Sequence, residues 1–83
     1  MRNKRQESAL IKIGEIIKKQ RLLLKISRTK LALELNTDEK HIRRIENGES
    51  NSTIISLLKI FYVLKIDIQV LSKIKIDKGF IED

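Results

Sequence analysis

Apolar residues recur at the spacing of an α-helix along most of this chain, which favours an all-α fold. The first periodic stretch predicts a helix over residues 8–24. Its apolar stripe consists of Leu10, Ile13, Ile17 and Leu24. Gly14 lies on this helix where another helix can approach closely. Residues 1–7 are mostly polar and lack the periodicity, so we expect a flexible arm there.

Two shorter helices joined by a tight turn are predicted over residues 28–35 and 39–47. Their apolar residues fall on one face of each helix: Leu31, Ala32 and Leu35 in the first, Ile42 and Ile45 in the second. Helices this short are unstable alone, so these faces must pack on each other and on the flanking helices. Ser27 and Asp38 are suitable N-caps, and Asn36 suits a left-handed conformation at the corner.

A fourth helix is predicted over residues 54–64, with Thr53 as its cap. Its core stripe consists of Ile54, Leu57, Leu58, Phe61 and Leu64, with Ile55, Ile60 and Tyr62 off the stripe. Asp67 can cap a short fifth helix over residues 68–73. The tail, residues 74–83, fits either a strand, because its apolar residues alternate, or an extension that packs on a partner.

The composition narrows the classes of function. The 83 residues form one small domain, which we divide into a flexible basic arm (1–7), a folded domain (8–73) and a tail that is a candidate dimerisation segment (74–83). The absence of Cys excludes disulfides and thiolate metal sites and fits a cytoplasmic protein. No apolar run approaches the ~20 residues of a membrane span, and no signal peptide is visible. With a single His and no Gly-rich phosphate loop, we expect no catalytic residue, metal site or cofactor.

The net charge of +7 is concentrated near the N-terminus. Residues 1–25 contain eight Lys/Arg and two Glu, whereas residues 26–48 are close to balanced. A basic surplus suggests a polyanionic partner. Charge alone favours a role in solubility, and a nucleic acid becomes the better interpretation only together with a motif.

The predicted helix pair resembles the Cro and phage-repressor type of helix-turn-helix, the xenobiotic-response-element-like group. The matching residues are Ile26-Ser27, Leu31-Ala32, Leu35-Asn36, Ile42, Ile45-Glu46 and Gly48, with Ile13-Gly14, Ile17, Arg21, Asn51, Thr53, Leu57 to Ile60, Leu64, Asp67, Ile68 and Leu71 on either side. The resemblance covers residues 13–71 and implies a compact five-helix, lambda-repressor-like DNA-binding domain. Four positions depart from it: Arg28 stands for a usual Gln, Asn36 for a Gly, Thr37 for a buried aliphatic residue and Ser52 for a frequent Pro.

The resemblance also implies a set of DNA-binding residues. The second helix of the pair would enter the major groove of double-stranded DNA, and the first would cross the backbone. The positions that match base-reading residues are Glu39, Lys40, His41, Arg43 and Arg44. Arg28 matches a phosphate-binding position, as do Asn47 and Asn51 after the second helix. Arg2, Lys4 and Arg5 would follow phosphates from the flexible arm. Without the resemblance, these are a solvated charged face and ordinary loop-capping residues.

The spacing of residues in the second helix predicts different roles for Arg43 and Arg44. Arg44 follows Lys40 by four residues and continues the groove-entering face, so we assign it to a base edge, with guanine the expected base. Arg43 follows Glu39 by four residues and can pair with it. Glu46 resembles a structural acid, for which Arg21 is the expected partner.

The apolar residues exceed what one small core can cover. Those in question are Ile55, Ile60, Tyr62, Ile66, Val70 and Ile74. We therefore expect a homodimer that acts as a sequence-specific, repressor-like transcriptional regulator. The alternatives are an antitoxin that also binds a toxin protein, a restriction–modification controller, and a protein-interaction module that has lost DNA binding. Glu39 favours the last of these, since a carboxylate near phosphate is repelled.

Overall fold

The computed structural model describes residues 2–82 of the chain. Met1 and Asp83, the ends of the expected arm and tail, lie outside the described residues. The helices in this range are α1 (Lys4–Leu23), α2 (Arg28–Glu34), α3 (Glu39–Glu46), α4 (Ile54–Leu64), a 3₁₀ helix (Ile68–Lys73) and α5 (Lys78–Ile81). The described part of the chain contains no strand, so the predicted all-α class is confirmed.

Local hydrogen bonds define the helix-turn-helix formed by α2 and α3. The Ser27 hydroxyl accepts from the Lys30 backbone N–H at 3.0 Å, and the Asp38 carboxylate accepts from the His41 N–H at 2.8 Å. Asn36 has φ of 56°, the left-handed conformation expected at the corner. Each of these residues was predicted because its role depends on neighbours only a few positions away.

The core lies where α1, α2, α3 and α4 meet. The buried apolar side chains are Ile17, Leu31, Ala32, Ile42, Ile45, Ile60, Phe61 and Leu64. Ile66 and Val70, which we expected at a dimer interface, are half-buried and pack against this core. The core therefore consists of apolar side chains from α1, α2, α3 and α4, and the segment that follows α4 packs against it.

The predicted buried face of α4 is partly wrong. Ile60 is 1% exposed, although it was placed off the core stripe and among the dimer residues, whereas Ile54 is 70% exposed and Leu58 41%. The stripe that faces the core is Leu57, Ile60, Phe61 and Leu64. Because α4 is apolar almost all round, helical spacing alone did not select the buried face, and packing against the other helices did.

The N-terminus of α1 also differs from the prediction. The helix begins at Lys4 rather than Ser8, so residues 4–7 are helical and do not form a flexible arm. Asn3 and Gln6 form a capping box, each side chain accepting from the other's backbone N–H. This start of the helix is supported by contacts with the C-terminal segment.

The C-terminal segment packs on α1 of its own chain. The Asn3 amide donates to the backbone carbonyls of Gly79 and Phe80 at 3.0 and 3.2 Å, and Gln6 donates to Phe80 at 2.7 Å. Arg5 and Asp77 form an ion pair at 2.6 Å. The strand considered for the tail is therefore wrong, whereas its role as a dimerisation segment stays a prediction.

Gly14 is the point of closest approach between α1 and α3, as its position on α1 predicted. A Cβ at this position would lie 2.5 Å from the carbonyl oxygen of Ile45 and closer still to that of Glu46. Both obstacles are backbone atoms, so side-chain rotation cannot relieve the overlap.

Gly14→Ala is therefore expected to destabilise the domain by about 1–3 kcal/mol, because α1 must move away from α3. Helix propensity alone predicts the opposite sign, since Ala in a helix interior is favoured by about 1 kcal/mol. Thermal unfolding of the variant decides between them, with Glu15→Ala, at the adjacent exposed position, as the control. A melting temperature raised by Gly14→Ala would contradict the close approach.

Candidate nucleic-acid interface

The exposed face of α3 carries most of the predicted base-reading residues. Ile42 and Ile45 point into the core and are 0% and 3% exposed. Lys40, Arg43 and Arg44 lie on the outer side and are exposed. Since the apolar pair fixes the rotation of α3, the orientation of its basic side is fixed by the core.

An ion pair within α3 joins Arg43 to Glu39 and leaves Lys40 and Arg44 outside it. Arg43 Nη1 lies 3.3 Å from a carboxylate oxygen of Glu39, which is the pair that the spacing predicted. Lys40 and Arg44 make no hydrogen bond or ion pair with the residues that the structure describes. The outer face of α3 therefore combines one neutralised pair with two unpaired cations.

His41 occupies a different position from the exposed cations. It is half-buried and lines a groove of about 240 Å³ between the helix-turn-helix corner and α4, together with Thr37, Ser56 and Lys59. The polar lining explains why an exposed Thr37 is tolerated where the resemblance implies a buried aliphatic residue. His41 is thus less accessible from outside than Lys40 or Arg44.

A buried charge cluster joins the three helices beneath this face. Glu46, whose side chain is fully buried, accepts from Arg21 Nε at 2.6 Å and Arg21 Nη2 at 3.1 Å. Arg21 also donates to the backbone carbonyl of Ile26 at 2.8 Å. The internal partner expected for Glu46 is confirmed, and it ties α1 to the end of α3.

Arg28 joins the same cluster, which sequence reasoning did not predict. Its Nε lies 3.0 Å from a Glu46 carboxylate oxygen, and its side chain is 29% exposed. Its two terminal nitrogens make no hydrogen bond within residues 2–82. Glu46 therefore orients the guanidinium, and the terminal N–H groups remain available to an external acceptor. This arrangement suits an arginine that binds a phosphate group.

The remaining predicted contacts lie around the ends of α1 and α3. Asn47 and Asn51 are exposed after α3, and Arg2 and Lys4 are exposed at the start of α1. Arg2 and Asn51 line the same cavity, so the structure brings the N-terminal segment beside the loop that follows α3.

Arg5 is engaged at a different place. Its hydrogen bond to Asp77 is the main reason that the pKa of the Asp77 carboxyl lies below its ordinary value. Arg5 is therefore committed to the C-terminal segment, unlike Arg2 and Lys4. The contact joins residues 72 positions apart, and no local pattern could have predicted it.

Neither a metal site nor a membrane-spanning helix is found among the described residues. Residues 2–82 contain no group of three or more His, Asp or Glu side chains placed to hold a metal ion. None of the helices in that range is long and apolar enough to cross a membrane.

Comparison with known proteins identifies the domain. A family model described as helix-turn-helix matches residues 17–71, which is more than half of the chain. The match includes α2, α3, α4 and the Arg21–Glu46 pair, and it agrees with the resemblance drawn from the sequence. No curated protein and no solved structure gave a significant match.

The buried cluster generates a stability prediction. Glu46→Gln keeps the shape of the side chain but leaves buried Arg21 without a counter-charge, so we expect a loss of about 3–5 kcal/mol. Urea unfolding with an unchanged slope provides the measurement. Glu39→Gln is the matched control, because its ion pair with Arg43 is exposed and is expected to contribute less than about 1 kcal/mol. Equal losses in the two variants would show that the Glu46 cluster does not hold the helices together.

Proposed function

Because this chain belongs to the Cro/C1-type helix-turn-helix family, we propose that it is a sequence-specific transcriptional regulator that acts as a repressor. The family supports a DNA-binding role in transcription. The observation that carries the finer proposal is the pair of unpaired cations, Lys40 and Arg44, on an α3 face whose rotation the core fixes. Donors on a helix whose rotation is fixed can distinguish base edges better than donors on a mobile segment.

The proposed docking follows from the positions of the two helices. The N-terminal part of α3 enters the major groove, and α2 lies across the phosphate backbone. Arg28 binds a phosphate with the terminal nitrogens that Glu46 leaves unused, and Asn47 and Asn51 bind the backbone beyond the end of α3. Lys40 and Arg44 then reach the bases.

The Glu39–Arg43 ion pair in α3 weakens the argument for a protein-interaction module without DNA binding. A protein-interaction module without DNA binding was considered because Glu39 would be repelled by phosphate. Its pairing with Arg43 at 3.3 Å lowers that repulsion, which supports DNA binding. A salt titration separates the two functions, because each phosphate contact makes the slope of log affinity against log salt more negative by ~0.9. No measurable affinity for duplex DNA even at low salt would favour the interaction module.

Arg43 and Arg44 are expected to have different roles. Arg44→Ala should cost about 1–3 kcal/mol at the preferred operator and relax the preference at one base position, because it removes a base contact. Arg43→Ala should weaken specific and non-specific DNA more evenly, since it releases Glu39 and at most one phosphate. Selection of binding sites from random duplexes by the two variants provides the measurement. Loss of a guanine preference with Arg43→Ala alone would show that the roles are reversed.

We further propose that the regulator is a homodimer, now with a revised interface. Of the residues expected there, Ile60 belongs to the core, while Ile55 and Tyr62 are 62% and 86% exposed. They line an open groove along α4 with Leu58, Val63 and Leu35 at the end of α2. Burying this groove in a two-fold contact would pair two α3 helices for half-sites about 34 Å apart.

Tyr62→Lys is expected to convert the dimer into a monomer, because two cations would face each other across the two-fold contact. Sedimentation over a micromolar concentration range measures the change. Lys75→Ala, an exposed substitution outside the groove, is the control and should leave the dimer intact. A wild-type chain that stays monomeric at high micromolar concentration and binds single half-sites would rule out the dimer.

A second candidate function uses the same exposed groove. An antitoxin binds its toxin protein through such a surface while retaining operator binding, and a restriction–modification controller needs only the homodimer. Co-purification of the chain with the product of its neighbouring gene distinguishes the antitoxin from the controller and from a simple repressor.

A further inference from the structure

A cavity of about 340 Å³ lies between the N-terminal half of α1, the loop that follows α3 and the start of α4. Its walls come from four helices that are separated along the sequence, and most of its lining is apolar. The apolar residues are Ala9, Leu10 and Ile13 of α1, Ile45 of α3, Ile54 and Leu57 of α4, and Phe80 of α5. Its size falls in the range of ~300–1,000 Å³ typical of small-molecule sites.

The polar groups of this cavity are few and come from two segments. Arg2 is the one charged side chain among the described residues of the lining, and Gln6, Ser50, Asn51 and Ser52 supply amide and hydroxyl groups. The Gln6 amide is already engaged, because it accepts from the Asn3 backbone N–H and donates to the Phe80 carbonyl. An apolar cavity with a small number of polar groups is typical of a site that orients a ligand as well as burying it. The single cation determines the sign of the ligand's charge.

We propose that this cavity binds an amphipathic organic acid, with its apolar body against α1 and α4 and its carboxylate at Arg2. The exposed Ile54, 70% accessible to solvent, gains burial when the apolar body is bound. The carboxylate receives a charge-assisted hydrogen bond from Arg2 and further donors from the 50–52 loop. The same cavity disfavours a cationic ligand, because Arg2 is the one charged side chain described in its lining.

Binding of the acid is expected to change the affinity for DNA. This effect on DNA rests on the proposed function, whereas binding of the acid itself does not. Asn51 belongs to both the cavity and the proposed phosphate contacts. A bound carboxylate neutralises Arg2 beside it and competes with phosphate for the same donors. The acid therefore lowers the affinity for operator DNA.

Binding is tested by calorimetric titration of the full chain with decanoate, in the absence of DNA. Decanoate is expected to bind with one molecule per chain, and decanol about tenfold more weakly, because it lacks the charge that Arg2 recognises. Arg2→Gln should weaken decanoate binding about tenfold, whereas Lys4→Gln, at an exposed cation outside the lining, should leave it unchanged. Equal affinities for decanoate and decanol, or equal losses in the two variants, would overturn the proposal.

A second pair of variants tests the apolar wall. Ile54→Ser should weaken decanoate binding roughly tenfold, and Ile55→Ser, the next residue on the other side of α4, should not. Both positions are exposed, so each variant is expected to fold. If Ile54→Ser instead dissociates a dimer that Ile55→Ser leaves intact, the cavity is an interface between two copies of the chain, and the ligand site is wrong.

The regulatory step is measured separately, by operator binding in the presence of decanoate. Saturating decanoate should weaken DNA binding by wild type and have a smaller effect on Arg2→Gln. An unchanged DNA affinity at saturating decanoate would overturn the regulatory step. Because calorimetry contains no DNA, a failure of the ligand site and a failure of the proposed function give different results.

Discussion

The carboxylate of Glu46 is the group on which the arrangement of the helices depends. It lies at the end of α3 and accepts from Arg21 of α1 and Arg28 of α2, so three helices meet at one charge. A buried carboxylate is costly unless its partners have good geometry, which disfavours alternative crossings of these helices. The cluster therefore contributes more to the uniqueness of the arrangement than to net stability.

Two acidic residues of the helix-turn-helix, Glu39 and Glu46, position basic ones. Glu46 binds Arg28 through Nε and leaves the terminal nitrogens unoccupied, while Glu39 binds a terminal nitrogen of Arg43. Lys40 and Arg44 have no acidic partner in the described range. The near-neutral charge of residues 26–48 consequently says little about their surface, because one carboxylate is buried and another is paired. Charge summed along a segment is a poor measure of the field that it presents to DNA.

The parts of the fold that the sequence predicted correctly depend on short-range interactions. The caps at Ser27 and Asp38 and the left-handed turn at Asn36 are determined within four residues, and helical spacing identified the buried faces of α2 and α3. The buried face of α4 was wrong because the helix is apolar on nearly every side, and its rotation is set by neighbours far along the chain. The Arg28–Glu46 pair was missed because its members are 18 residues apart and belong to helices whose crossing was not known. The early start of α1 was missed for a similar reason, since Asn3 and Gln6 contact residues more than 70 positions away.

The docking of the C-terminal segment changes how the N-terminal residues would contribute to the proposed DNA contacts. A flexible arm loses conformational entropy whenever it binds phosphate, and this loss offsets part of the electrostatic gain. Here the start of α1 is already ordered by Asn3, Gln6 and the Arg5–Asp77 ion pair. The ordering removes Arg5 from the free cations, and it keeps Arg2 beside the loop that follows α3. Fewer cations would then be needed for the proposed affinity for DNA than in a longer mobile arm. The position of these cations depends on the C-terminal residues that hold α1 in place.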